Sequence, residues 1–326
     1  MERAEGQAAA SALKRIARSE TVKRRVLGDP ALYSVLLGAA RTFIGGEYLA
    51  DCLLTACNLN SQGSAVTIDY MGESVREPSD AEEATAEFLR LVRAINNTGL
   101  NASVSLDLSH IGLALDPGLA LENADRIARA TAAAGLEMMI SAEGSERTDC
   151  VLETHGQLAR KHDHVGVTLQ ANLYRTVDDL ESVLERSGKI RVVKGAFQEA
   201  GSIAMPRGRN LDRAFLRTVS RVISAHRPCS IATHDPQVIK QARKMMAGLR
   251  EDQEVEFEML FGAARTRLAR LRRDGFRTRI FLPYGREWYL YLCHRLAEYP
   301  PNIYTAIAKA VELSAGLDVE PDSGST

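Results

Sequence analysis

Eight apolar or β-branched runs in this chain end on residues that can do chemistry. Those ends are Asp69-Tyr70, Asp107, Ser141 with Glu143, Gln170, Lys194-Gly195-Ala196, Thr233-His234-Asp235, Glu258 with Leu260, and Phe281 ahead of Pro-Tyr-Gly. Gln170, Arg191, Lys194 and His234 supply hydrogen-bond donors, and the Gly195-Ala196 backbone leaves room for a ligand lying close. Such a set suits a large polar cofactor that carries phosphates and a heterocycle. It suits a small sugar phosphate less, because no Gly-rich turn follows the seventh run. For any one of these residues a structural hydrogen bond is an equal reading; the case rests on the set. After the last run, Trp288, Tyr291, Leu292, Arg295 and Leu296 recur at helical spacing, closed by Pro300-Pro301. That spacing puts His294-Arg295 beside a ring cluster, although each ring taken alone reads as core packing.

The elements that must position these residues follow a rhythm. The runs are 65–70, 103–108, 136–141, 165–170, 190–195, 229–233, 255–260 and 278–282. Helical patterns follow them at 80–97, 119–134, 148–161, 177–186, 213–225, 236–247, 263–273 and 287–298. Strands that alternate with helices pair in parallel through right-handed crossovers. Eight such units predict an α/β fold, a closed (β/α)8 TIM-like barrel, with an open doubly wound sheet as the alternative. Helical patterns also cover 11–27, 32–43 and 47–62, so residues 1–62 are expected to be extra N-terminal helices packed on the barrel. The barrel itself is expected over 63–315, and a disordered polar tail over 316–326.

Composition narrows the partners. The 326 residues are 45% hydrophobic and 25% charged with a net charge of −1, which gives no electrostatic case for nucleic acid. No apolar run is long enough to span a bilayer, so no integral membrane segment is expected. The charged N-terminus has no signal-peptide core, and the five scattered cysteines form no C-x-x-C pair, so a reducing cytoplasmic setting is expected. No metal site is expected. There is no H-E-x-x-H motif, and His162-x-His164 reads as an exposed polar loop. Neither a G-x-G-x-x-G after a strand nor a P-loop is present.

IRVVKGAF (190–197), TLQANL (168–173), IATHD (231–235), FEMLFG (257–262) and LPYGREWYLYLCHRLAEYPPN (282–302) resemble the successive motifs of the proline dehydrogenase family. The resemblance runs from about Arg41 to Asn302. It implies a distorted (β/α)8 barrel and an FAD cofactor, neither of which periodicity could name. It also implies flavin contacts at Gln170, Arg191, Val193, Lys194, Gly195, Ala196, Thr233, His234, Arg295 and Glu298, with Arg191 near the reactive flavin nitrogen and Leu260 against the ring.

The substrate side departs from that family's pattern. One of two terminal arginines is His294, leaving Arg295. The family's lysine falls on Asp107, its partner aspartate on Ser141, a tyrosine on Phe281 and a glutamine on Glu258. Cations are lost and anions gained, and each lost cationic contact to a carboxylate is worth about 1.5–3 kcal/mol. The expectation is an enzyme that oxidises the C–N bond of an imino acid or small cyclic or basic amine other than free L-proline. Asp107 or His294 would take the amine proton beside Arg191. Arg295, Tyr291, Leu260, Phe281, Ser141 and Asp107 would line the substrate, and a quinone or another acceptor would take the electrons. Asp107 paired with Arg295 or His294 in a closed pocket is a further reading. The alternatives are an ordinary L-proline dehydrogenase, a flavin-binding protein without turnover, and a flavin-free lyase using Lys194 as a Schiff base.

Overall fold

The structure is a computed structural model that describes residues 13, 19–72, 74–247, 249, 253–263 and 265–298. Of the expected elements, residues 11–18 (apart from Leu13) of the first helix, residues 299–315 of the barrel span and the tail 316–326 lie outside the described residues. Eight parallel strands close into a barrel in chain order: β1 Ala65–Tyr70, β2 Ala102–Leu106, β3 Met138–Ile140, β4 Val165–Gln170, β5 Ile190–Val193, β6 Cys229–Ala232, β7 Val255–Leu260 and β8 Arg277–Tyr284. The open-sheet alternative therefore falls. Ahead of the barrel come α1 Glu20–Gly28, α2 Pro30–Ala40 and α3 Leu49–Ser61. The crossovers carry α4 Pro78–Thr98, α5 Pro117–Ala133, α6 Thr148–Ala159, α7 Thr176–Leu184, α8 Arg209–Ser224, α9 Pro236–Met246 and α10 Arg265–Arg273, and α11 Trp288–Glu298 follows β8.

The chain divides into two compact units, one of residues before and including Cys52 together with those from Pro283 on, the other Leu53–Leu282. In the larger unit, local chemistry sets the helix starts. Asp116 accepts from Leu119 N at 2.8 Å and Asp235 from Gln237 N at 2.9 Å, each followed by a proline at the first helical position. The same Asp-Pro pair opens α2 in the smaller unit, where Asp29 accepts from Ala31 N at 2.9 Å. α4 stops at Gly99, whose φ of 63° is the left-handed turn a glycine takes without strain. Its stripe of Ala81, Ala84, Phe88, Leu91, Val92 and Ile95 is buried.

Three of the boundaries that differ from the periodicity bear on the site. β2 ends at Leu106, and a 3₁₀ turn over Leu108–Ile111 takes the chain away, so Asp107 stands at the corner. β5 ends at Val193, because Gly195 turns the backbone to a φ of 103°. β8 runs on through Pro283 and Tyr284, where a turn is expected; Pro283 lacks an N–H, but its carbonyl accepts from Gly45 N at 2.8 Å.

The barrel interior is charged rather than filled with branched aliphatics. Deepest lies a network on Glu256, whose carboxylate takes Lys189 Nζ at 3.0 Å and Arg279 Nε at 2.7 Å. Glu137 closes it, 2.9 Å from Lys189 and 3.5 Å from Arg279. Burial pushes the Glu256 carboxyl up, but Arg279 and Lys189 outweigh it and hold the group below its ordinary value. Arg279 also donates to Val66 O and Ser103 Oγ. Two cations face two carboxylates, so this layer is close to neutral, as burial demands.

Candidate active site

One layer nearer the C-terminal ends of the strands, Arg191 is the centre. The residue is 5% exposed. Nε donates to Thr168 Oγ1 at 2.9 Å, Nη2 to Ser105 Oγ at 2.9 Å and Ser141 Oγ at 3.3 Å, and Nη1 to Glu258 Oε1 at 3.3 Å. Ser105 and Ser141 are themselves 3.0 Å apart. The Phe281 ring lies under the guanidinium, 5.2 Å from Cζ to centroid. Glu258 is 2% exposed and also accepts from Ser230. Four strands thus fix one arginine from several directions and leave its rotamer no freedom.

Asp69 belongs to the same layer. It pairs with Ser105 in the parallel ladder between β1 and β2, so both side chains leave the sheet on one face. Its Oδ1 is buried with no hydrogen-bond partner in the protein. Burial pushes its carboxyl up, against the pull of Arg191, to about 7. Formally the layer holds one cation, Arg191, against Glu258 and Asp69, with Asp107 two residues beyond Ser105.

The remaining expected positions take these places. Gln170 donates to Glu143 O at 2.8 Å. Lys194 sits between Asp212 at 2.5 Å and Asp235 at 2.7 Å. Gly195 packs against Asn172, whose Oδ1 is buried without a partner; a Cβ at 195 would collide with it. Val193 O accepts from Ala171 N at 2.9 Å, and Ala196 is exposed in the loop beyond. Thr233 Oγ1 accepts from Asp235 N at 3.2 Å. His234 Nε2 accepts from Leu260 N at 2.9 Å, which puts any single ring proton on Nδ1. In the smaller unit α11 carries Tyr291, His294 and Arg295, with the Arg295 guanidinium 5.1 Å from the Tyr291 ring centre. The Glu298 side chain lies outside the described residues.

The structure therefore gathers Ser141, Arg191 and Phe281 in one cluster and joins Leu260 to His234. It adds Ser105 and Thr168, which reading the strand ends does not single out, and brings Glu258 and Asp69, both among the strand ends, into the same layer. A signal for them exists. Thr67 and Asp69, Ser103 and Ser105, Thr168 and Gln170, and Glu256 and Glu258 are polar residues two apart inside apolar strands, Lys189 and Arg191 keep the same spacing across the start of β5, and that period marks one face. His162 and His164 differ from the exposed loop expected of them. His162 Nε2 is 2.9 Å from Asp125, and His164 Nε2 is 3.0 Å from Thr131, so α5 holds both rings. No helix among the described residues is long and apolar enough to cross a membrane.

Comparison with known proteins bears on this arrangement. The family described as proline dehydrogenase matches residues 52–302. Proline dehydrogenase 2 of Bacillus subtilis strain 168 is 33% identical over 267 residues, covering 81% of this chain and 88% of the relative. Proline dehydrogenase of Deinococcus radiodurans is 32% identical over 289 residues, covering 86% and 93%. Among solved structures, proline utilization A from Bdellovibrio bacteriovorus superposes with a TM-score of 0.79 at 18% identity over 99% of this chain, a likeness of fold. The chain spans 40% of that larger protein. By the extent of the family match and the identity to its relatives, the chain belongs to the proline dehydrogenase family, whose members are oxidoreductases acting on CH–NH bonds.

Proposed function

We propose that this protein is a cytoplasmic FAD-dependent dehydrogenase that oxidises the C–N bond of an imino acid or small cyclic or basic amine other than free L-proline, with a quinone or another acceptor taking the electrons. The observation that carries the substrate claim is the charge around Arg191. Its guanidinium is tied to Glu258, Ser105, Ser141 and Thr168, and Asp69 stands by it without a hydrogen-bond partner on Oδ1. A carboxylate entering this layer meets a cation already neutralised and an extra acid; an amine meets the reverse.

Two observations support a flavin. The backbone at Gly195 admits no Cβ, and the buried Asn172 Oδ1 beside it asks for an N–H donor of the kind an isoalloxazine edge offers. Gln170, Arg191, the 193–196 backbone, Thr233, His234, Arg295 and Glu298 are the proposed holders, with Lys194 exchanging one of its two carboxylates for phosphate. The flavin, when bound, supplies a hydride acceptor for the carbon next to nitrogen. The chain's part is to bind and orient. In the larger unit Leu260 and Phe281 would confine the substrate ring, Ser141 would offer a hydroxyl and Asp107 would accept the amine proton on oxygen; from the smaller unit the family resemblance adds Tyr291 for the ring, Arg295 for any carboxylate and His294 as the other proton acceptor.

A second reading, ordinary oxidation of L-proline to pyrroline-5-carboxylate, is favoured by the relatives named proline dehydrogenase and by the retention of an arginine at 295. An anaerobic titration of the purified, flavin-loaded protein with L-proline separates the two. The proposal expects the visible flavin band to persist at millimolar L-proline and to bleach with dithionite. Bleaching by low L-proline concentrations overturns it in favour of the second reading. Absence of flavin, even after FAD is added, overturns the cofactor assignment.

A further inference from the structure

Asp69 is given no ligand to hold in the assignments above, yet among the described residues it is the acid with a buried carboxylate oxygen and no hydrogen-bond partner for it. It is 9% exposed, and its Oδ1 is buried without a hydrogen-bond partner. Its strand register with Ser105, which accepts from Arg191 Nη2 at 2.9 Å, aims it into the layer that Arg191 crosses. Leaving a buried carboxylate unbonded is costly, and native structures retain such groups chiefly where something else completes them. Arg191 does not bond it: its Nε, Nη1 and Nη2 donate to Thr168, Glu258, Ser105 and Ser141, and Asp69 Oδ1 receives no hydrogen bond.

We propose that Asp69 is a specificity-determining residue that binds the N–H of a cationic cyclic amine, so that the barrel mouth selects substrates by their positive charge rather than by a carboxylate. The inference deepens the proposed function and rests on it for the identity of the site. An ammonium supplies the donor that Oδ1 lacks and replaces a costly buried acid with an ion pair. A carboxylate has nothing to give Oδ1.

The binding has a proton signature. Burial raises the free carboxyl to about 7, against the pull of Arg191, and an adjacent cation lowers it again. The charged groups that face it or share its end of the barrel are Arg191 from β5, Glu258 from β7, Asp107 beyond β2, and Arg279 of β8 in the layer below. Arg191, Glu258 and Arg279 are already ion-paired. Near pH 7 amine binding therefore releases a proton from Asp69.

The test is calorimetry on the flavin-loaded protein with two ring-sized probes of opposite charge, pyrrolidine hydrochloride and tetrahydrofuran-2-carboxylate, in buffers of different ionisation heat. Wild type is expected to bind pyrrolidinium more tightly than tetrahydrofuran-2-carboxylate and to release a fraction of a proton. Asp69→Asn is expected to weaken pyrrolidinium about ten- to a hundredfold and to abolish the proton release, with Asp69→Glu restoring part of both. Equal pyrrolidinium binding by Asp69→Asn overturns the proposal, as does a wild type that prefers tetrahydrofuran-2-carboxylate or binds neither probe. A melting temperature for each variant separates lost binding from lost fold. Asp69-dependent amine binding in a protein that takes up no flavin sinks the oxidoreductase reading alone; a good flavoprotein whose amine binding ignores Asp69 sinks this inference alone.

Discussion

Replacing Glu258 by glutamine tests the electrostatics of the upper barrel layer most directly. The side chain is 2% exposed, and its Oε1 stands 3.3 Å from Arg191 Nη1. At an effective dielectric of about 20, two unit charges at 3.3 Å attract by about 5 kcal/mol. Most of that offsets the desolvation of the carboxylate, which the amide does not incur. The amide oxygen still accepts from Arg191, and Thr168, Ser105 and Ser141 still bond the guanidinium. Glu258→Gln should therefore cost about 1–3 kcal/mol of stability, less than stranding a buried cation outright. The second effect has the opposite sign. Arg191 regains a net positive charge, part of which Asp69 takes up, so tetrahydrofuran-2-carboxylate should bind about tenfold more tightly, a gain of about 1.4 kcal/mol. Urea unfolding followed by far-UV dichroism gives the first quantity and calorimetry the second. If stability and tetrahydrofuran-2-carboxylate affinity both stay at the wild-type value, Glu258 does not oppose Arg191 as a charge, and this layer does not disfavour carboxylates.

Two further outcomes follow from the geometry. Gly195→Ala forces a side chain onto a φ of 103° and into Asn172, so it should cost about 1–3 kcal/mol and lower the flavin content of the purified protein, read as the ratio of visible to protein absorbance. His155 is buried, with Nε2 3.3 Å from Val165 O, and burial together with Arg186 pushes it down to about 4 from its ordinary 6.5. The unfolded chain binds more protons between those values, so stability is full above about pH 6.5 and declines as pH falls toward 4. His155→Gln should flatten that part of a stability-against-pH profile, and a profile of unchanged slope would refute the assignment.

Much of this protein is legible without coordinates. The alternation of runs 65–70, 165–170 and 255–260 with helical stretches survives intact as β1, β4 and β7, because a strand covered by crossover helices must be apolar along most of its length and a βα unit closes locally. The Asp-Pro pairs at 29, 116 and 235 announce helix starts by chemistry confined to four residues. The family motifs from 168 to 302 are likewise a property of the chain as written. What the sequence cannot supply is which charges meet. Arg191 and Glu258 are 67 residues apart, and only closure of the barrel and its register bring them to 3.3 Å. The period of two shows that Asp69, Ser105, Arg191 and Glu258 each face one side of a strand. It does not show that three of them satisfy one another while Asp69 is left over. Hydrogen bonds across a closed barrel are long-range, and the cost of an unpaired acid depends on what every other strand places opposite it. The tertiary structure alone decides that balance.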